Sequence, residues 1–156
     1  MSPSRTSLNR IKRWKDRVSR GICVHCNEEP PVKGKLACGP CASKRNSVLR
    51  ESNLRLKLEV FEAYGGAVCS CPSCPERLNP RIEFLTLNHI GGGGTQHRKN
   101  IGGKRASGGG MSLAGTETYR WVRKNKFPPG FNVLCWNCQW GIHINKGTCP
   151  HLGDKS

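Results

Sequence analysis

This sequence is poor in the residues that build a large core. Apolar residues make up 35% and aromatic residues 6% of its 156 positions, below the usual globular share. Hydrophobic burial alone leaves a chain this lean short of stability, so another staple is required. No run of about 18 apolar residues occurs, which excludes a helical membrane span. Residues 1–20 lack the apolar centre of a secretory signal, so the cytoplasm is the expected location. Their Arg- and Ser-rich, acid-poor character leaves an organelle transit peptide as the alternative. Acid is scarce throughout: 10 Asp and Glu stand against 26 Lys and Arg, a formal net charge of +16.

That imbalance selects a partner class. The basic residues concentrate at 1–20 and 103–126, outside the cysteine-bearing segments. Binding to an anionic membrane calls for a basic amphipathic helix with a strong apolar face, and only residues 8–18 approach one. Nucleic acid is therefore the expected partner, and no membrane is. Candidate phosphate contacts are Arg10, Lys12, Arg13, Lys15 and Arg17 near the start, Lys104 and Arg105 in a glycine-rich stretch, and Arg120, Arg123 and Lys124 beyond it.

Cysteine (10), glycine (19) and proline (10) are what the chain has in excess. Four C-x-x-C pairs stand out: Cys23/Cys26, Cys38/Cys41, Cys71/Cys74 and Cys135/Cys138. A disulfide framework has no need of such paired spacing, and no export signal accompanies it. Two sulfurs three positions apart on a tight knuckle grip one side of a tetrahedral zinc, and a second knuckle closes the other. Four knuckles make two four-cysteine zinc sites. Cys69 is an odd thiol that could replace Cys71, although the C-x-x-C spacing favours Cys71 with Cys74. Cys149 and His151 form a C-P-H tail able to cap the site or to ligate metal, capping being the commoner role.

The expected fold class is a small zinc-braced α+β protein. Residues 1–20 form a basic arm in which Leu8, Ile11, Trp14 and Val18 repeat near helical spacing, either a short amphipathic helix or a solvated, disordered segment. Residues 21–42 are a four-cysteine, zinc ribbon-like finger whose Pro30, Pro31 and Gly34 favour turns. His25 lies between two ligand cysteines and should be exposed. Residues 43–66 read as a long connecting helix with Leu54, Leu58 and Phe61 on its apolar stripe, widened by Val60 and Tyr64, and stopped by Gly65 and Gly66. Residues 67–156 form the last module. It opens with the third knuckle and a strand at 82–88 that sets Leu85, Leu87 and His89 on one face and Phe84, Thr86 and Asn88 on the other. A flexible glycine-rich loop spans 91–110. It is no P-loop, because Lys104 is followed by Arg105 where Ser or Thr is needed. A basic helix at 116–126 turns Tyr119, Trp121 and Val122 inward, and a strand at 131–134 leads to the fourth knuckle and a helix or turn from Gln139.

A strand ending in Asn88-His89, a glycine-rich loop, and L-C-x-x-C opening a last helix is the order of a ββα-metal nuclease. LTLNHIGGGGTQHR, followed by YRWVRKNKFPPGFNVLCWNC and CPH, resembles the HNH endonucleases common in bacteriophage genomes, over roughly residues 21–151. The resemblance makes residues 67–156 an HNH module and implies metal-dependent phosphodiester hydrolysis on duplex, branched or nicked DNA, in the host cytoplasm if the chain is phage-encoded. It implies that His89, matching the family's first histidine, takes a proton from water as general base. His97 and Arg98 match the family's His-Arg pair. A catalytic Mg2+ or Mn2+ is implied at Asn88 and Gln139, which carry amides where Asp and His or Asn are usual. The family's central Asn falls on Gly130, with Asn132 two residues on. Cys71, Cys74, Cys135 and Cys138 would then hold a structural zinc separate from the catalytic ion. The alternative expectation is a non-catalytic, zinc-braced DNA-binding protein on the same scaffold.

Overall fold

A computed structural model describes residues 5–77, 80–101 and 115–152. The candidate contacts Lys104 and Arg105 lie outside the described residues. The chain divides into two compact units, Met1–Ser52 and Asn53–Ser156. Among the described residues there are five α-helices and one two-stranded antiparallel sheet, an α+β composition. No described helix is long and apolar enough to cross a membrane.

In the first unit, α1 (Arg5–Ser19) is a helix, the ordered one of the two expectations for this arm. Its stop is local chemistry: Gly21 takes a positive φ of 64°. The N–H groups of Gly21 and Ile22 then close on the carbonyls of Val18 and Arg17, a Schellman stop that only glycine enters without strain. The finger is held by turn bonds, with the Cys23 N–H on Glu29 O and the Val24 N–H on Leu36 O. Helix α2 (Gly39–Ala63) begins four residues before its expected start, so Cys41 belongs to its first turn. Pro40 suits that turn, whose N–H groups have no intrahelical partner.

In the second unit the buried stripe of α2 is Leu56, Val60 and Phe61, whereas Leu54 and Leu58 are 43% and 37% exposed. The expected stripe is thus rotated. Several apolar faces fit this helix equally well, and packing chose the one that meets the sheet. Strand β1 (Leu85–His89) pairs antiparallel with β2 (Phe131–Cys135), Leu85 opposite Cys135 and His89 opposite Phe131. Residues Ile82–Phe84, expected as strand, form a 3₁₀ turn instead. The Lys57 ammonium caps it by donating to Ile82 O at 2.6 Å.

The expected loop at 91–110 also needs correction, because α3 (Gly94–Ile101) lies inside it. The glycines of this stretch are clustered, and TQHRKNI contains none. Gly91, Gly92 and Gly93, at φ 76°, 85° and 76°, form the left-handed turn that delivers the chain from β1 into α3. Helix α4 (Thr116–Lys124) and helix α5 (Trp136–Ile144) complete the unit. Lys126 and Lys146, not glycines, take the left-handed position after these two helices. Helix α5 starts inside the fourth knuckle and packs on both strands.

The core is small. Val60, Phe61, Val122 and Val133 are fully buried, joined by Leu85, Leu87, Leu134 and a set of cysteines. Each such aliphatic or aromatic side chain contributes about 1.5–3 kcal/mol, against roughly 1–2 kcal/mol of backbone entropy for every residue ordered. The cysteines occupy core positions that apolar residues hold in larger domains.

Candidate metal centres and imidazole site

All ten cysteines are free thiols. In the finger, Cys23, Cys26, Cys38 and Cys41 bring their sulfurs within 4.8 Å of one another, and the Cys26 and Cys38 sulfurs stand 3.7 Å apart. A disulfide needs about 2.05 Å. Four sulfurs about 2.3 Å from a shared zinc are separated by about 3.8 Å, so the spacing is that of a metal site. Backbone N–H groups of Cys38 and His25 donate to the Cys23 sulfur at 3.3 and 3.4 Å. Burial pushes the Cys23 thiol up, but N–H donation from Cys38, Cys26 and His25 outweighs it and settles the value at about 6. Cys41 is pushed up to about 12, first by its hydrogen bond to Cys38 and then by burial. Such a quartet holds several thiolates together only with a cation among them. His25 is exposed, as expected.

The second unit regroups the thiols. Cys69, Cys74, Cys135 and Cys138 form one set, all four buried; Cys71, Cys138, Cys149 and His151 form another. The resemblance placed Cys71 where Cys69 stands. The cause lies in the backbone: the Ser70 N–H bonds Val133 O at 2.8 Å, and the Cys135 N–H donates to the Cys69 sulfur at 3.2 Å. These two bonds tie residues 69 and 70 to β2, so Cys69 meets the Cys135 side and Cys71 is left facing Cys149. Cys74 stands 3.5 Å from Cys135, and Cys71 stands 3.5 Å from Cys149. The C-P-H tail thus supplies ligand atoms, with His151 Nδ1 at 3.3 Å from Cys138 and 3.6 Å from Cys149. Both sets can hold zinc.

The imidazole site lies on the sheet face away from Asn88. His89 shares its face of β1 with Leu85 and Leu87, and its Nε2 is 2.8 Å from Nδ1 of His97 on α3. The His89 ring rests on Phe131 and the His97 ring meets Trp121 edge-on, with centroids 4.7 and 4.6 Å apart. Gly94 permits this approach, because a Cβ there would lie 2.8 Å from His89 Nδ1 and 3.4 Å from a guanidinium nitrogen of Arg98. Burial, then the His97 and Arg98 charges, hold the His89 pKa below its ordinary 6.5. That shift favours the neutral ring, the form that accepts a proton.

Asn88 and Gln139 are engaged elsewhere. Asn88 Nδ2 donates to Asn132 Oδ1 across the strands at 2.9 Å, and Gln139 Oε1 accepts from the Thr86 hydroxyl at 3.1 Å. Both belong to the face of β1 opposite His89. No set of three or more His, Cys, Asp or Glu ligand atoms includes His89 or His97 among the described residues. Mg2+ and Mn2+ prefer carboxylate and other hard oxygen donors. Imidazoles, amides on the far face and an adjacent guanidinium do not fit the catalytic ion that the resemblance implies.

The candidate phosphate contacts differ among themselves. Arg10, Lys12, Arg13 and Lys15 are exposed on α1, whereas Arg17 Nη1 donates to Val24 O at 2.6 Å and ties helix to finger. Arg10, Arg13 and Arg17 face a groove of about 1240 Å³ within the first unit, shared with Trp14, Leu36 and Arg45. Arg120 pairs with Glu117, and Arg123 pairs with Glu59 at 3.3 Å. Lys124 is exposed. No protein-family model, curated protein or solved structure matches the chain.

Proposed function

We infer that this chain is a zinc-braced, DNA-binding phosphodiester hydrolase of the HNH type with His89 as general base. The contact between His89 Nε2 and His97 Nδ1 carries the reading. If Nε2–H of His89 donates to His97, Nδ1 of His89 is left as an acceptor on the side where Gly94, lacking a Cβ, and the Arg98 guanidinium come close. A water proton passes to that nitrogen as the water oxygen attacks phosphorus. The P–O bond to the leaving sugar oxygen then breaks, and that oxygen takes a proton from solvent. Arg98 is placed to bind a non-bridging phosphate oxygen and offset its growing charge. The net charge of +16 and the exposed bases of α1 supply the attraction to the polymer.

The resemblance adds a catalytic Mg2+ or Mn2+. Since the residues beside His89 do not fit one, no step is routed through it. That same lack of carboxylates favours a second reading, in which the scaffold binds DNA without cutting it. Supercoiled plasmid incubated with the zinc-loaded chain, with and without added Mg2+ or Mn2+, separates the two. Nicking by the wild type that falls about 10²–10⁴-fold in His89→Ala, with DNA binding retained, is the expected result. Tight binding with no cleavage under any of these conditions establishes the second reading.

A further inference from the structure

We propose that the second unit holds a dinuclear zinc–thiolate cluster in which the Cys138 sulfur bridges the two ions, one completed by Cys69, Cys74 and Cys135 and the other by Cys71, Cys149 and His151. The two ligand sets overlap in this one residue. Two tetrahedral ions require eight metal–ligand bonds. The seven residues supply them only if one ligand is shared, and Cys138 is the residue that belongs to both sets.

The distances agree with two tetrahedra. The fold sets edges of 3.5 Å for Cys74–Cys135, 3.5 Å for Cys71–Cys149 and 3.3 Å for Cys138–His151. Arms of about 2.3 Å to sulfur and 2.0–2.1 Å to nitrogen give edges of about 3.8 and 3.5 Å. A bridging thiolate must be reachable from two sides, and Cys138 is: it opens α5 beside β2 and faces the folded-back tail. It is also fully buried, so no water competes for the shared sulfur. Soft sulfur with one imidazole favours zinc over Mg2+ or Ca2+.

The tail is built to reach the cluster. Gly147, at φ 105°, turns the chain after α5. Pro150 then seats against Gly141, where a Cβ would lie 2.5 and 2.9 Å from its ring carbons. Only glycine at 141 lets the proline lie on the helix, and the residues on either side of that proline are Cys149 and His151. Gly141 is therefore a positioning residue for the second ion, although it ligates nothing.

The inference does not depend on the nuclease reading, since its measurements involve no cleavage. Full-length protein loaded with zinc should contain three equivalents per chain, one in the finger and two in the cluster. His151→Ala and Gly141→Ala should each fall to two, and Cys138→Ser to one. Gly141→Ala retains every ligand, so it tests the site even if Cys138→Ser fails to fold. With cadmium-113 in place of zinc, three resonances should appear, two of them split by each other through the shared sulfur. Two equivalents in the wild type, or three resonances without mutual splitting, overturns the bridge.

Discussion

The two units use the same ligand chemistry and differ in how it is written along the chain. In the finger, Cys23/Cys26 span a turn and Cys38/Cys41 span the start of α2, and the four sulfurs assemble as their spacing says. In the second unit the segment before the third knuckle is pinned along β2. There Cys69 and Cys74 face one way and Cys71 the other. Spacing reports ligand grouping where nothing outside the knuckle holds the chain; here Cys71 and Cys74 span a turn, and the bonds of residues 69 and 70 to β2 still bring Cys69 to Cys74 and Cys135.

Removing a finger ligand should have the largest effect and should test whether the units are separable. Structural zinc supplies roughly 10–16 kcal/mol of folding energy in small domains. Cys23→Ser is expected to unfold residues 5–52 and leave the amide resonances of 85–144 at their native shifts. Collapse of the whole spectrum would show that the units fold as one.

Cys69→Ser breaks the comparison at its sharpest point. If Cys69 is a ligand, the variant loses zinc from the second unit and its melting temperature drops by ten degrees or more, given roughly 4–8 °C per kcal/mol in a domain of this size. If spacing alone governed, Cys69→Ser would be nearly silent in both zinc content and thermal melting.

Gly94→Ala asks the same of the imidazole site. The added methyl must displace His89 or the Arg98 guanidinium, so plasmid nicking should fall about tenfold or more while zinc content stays unchanged. Unchanged nicking would mean that the close approach of α3 to His89 does not matter to the chemistry.

The smallest effect is a titration. The His89 pKa is held below 6.5 by burial and by the His97 and Arg98 charges, with Phe131 and Trp121 uncharged around the pair. A depressed histidine contributes stability above its unfolded value of about 6.5 and loses it as pH falls through the folded value. Nicking should rise through that same lowered value and level off by neutral pH. Imidazole NMR should place the His89 midpoint below 6.5, and a midpoint above 6.5 would remove the base from the proposal.

Much of the architecture was legible because it is local. Alternation set Leu85, Leu87 and His89 on one face of β1; Gly65 and Gly66 ended α2; Tyr119, Trp121 and Val122 turned inward on α4. What was illegible needed a partner. The glycines at 91–93 masked α3, since overall glycine content says nothing about where the glycine-free stretch sits. Val60 and Phe61 of the expected stripe are buried, but Leu54 and Leu58 gave way to Leu56 because the sheet, absent from any helical period, chose the face.

The sequence by itself determined that cysteine knuckles able to hold zinc stand in for part of a core, because ten cysteines, eight of them in paired spacing, occur in a chain with few large apolar residues. It also determined that the protein is strongly cationic. Only the tertiary structure decided which thiols meet, why the C-P-H tail reaches Cys138, and that His89 faces His97 while Asn88 faces Asn132. Those outcomes rest on contacts between residues 8 to 78 positions apart, and no knuckle or strand spacing encodes where a sheet edge, a missing Cβ or a folded-back tail will bring them together.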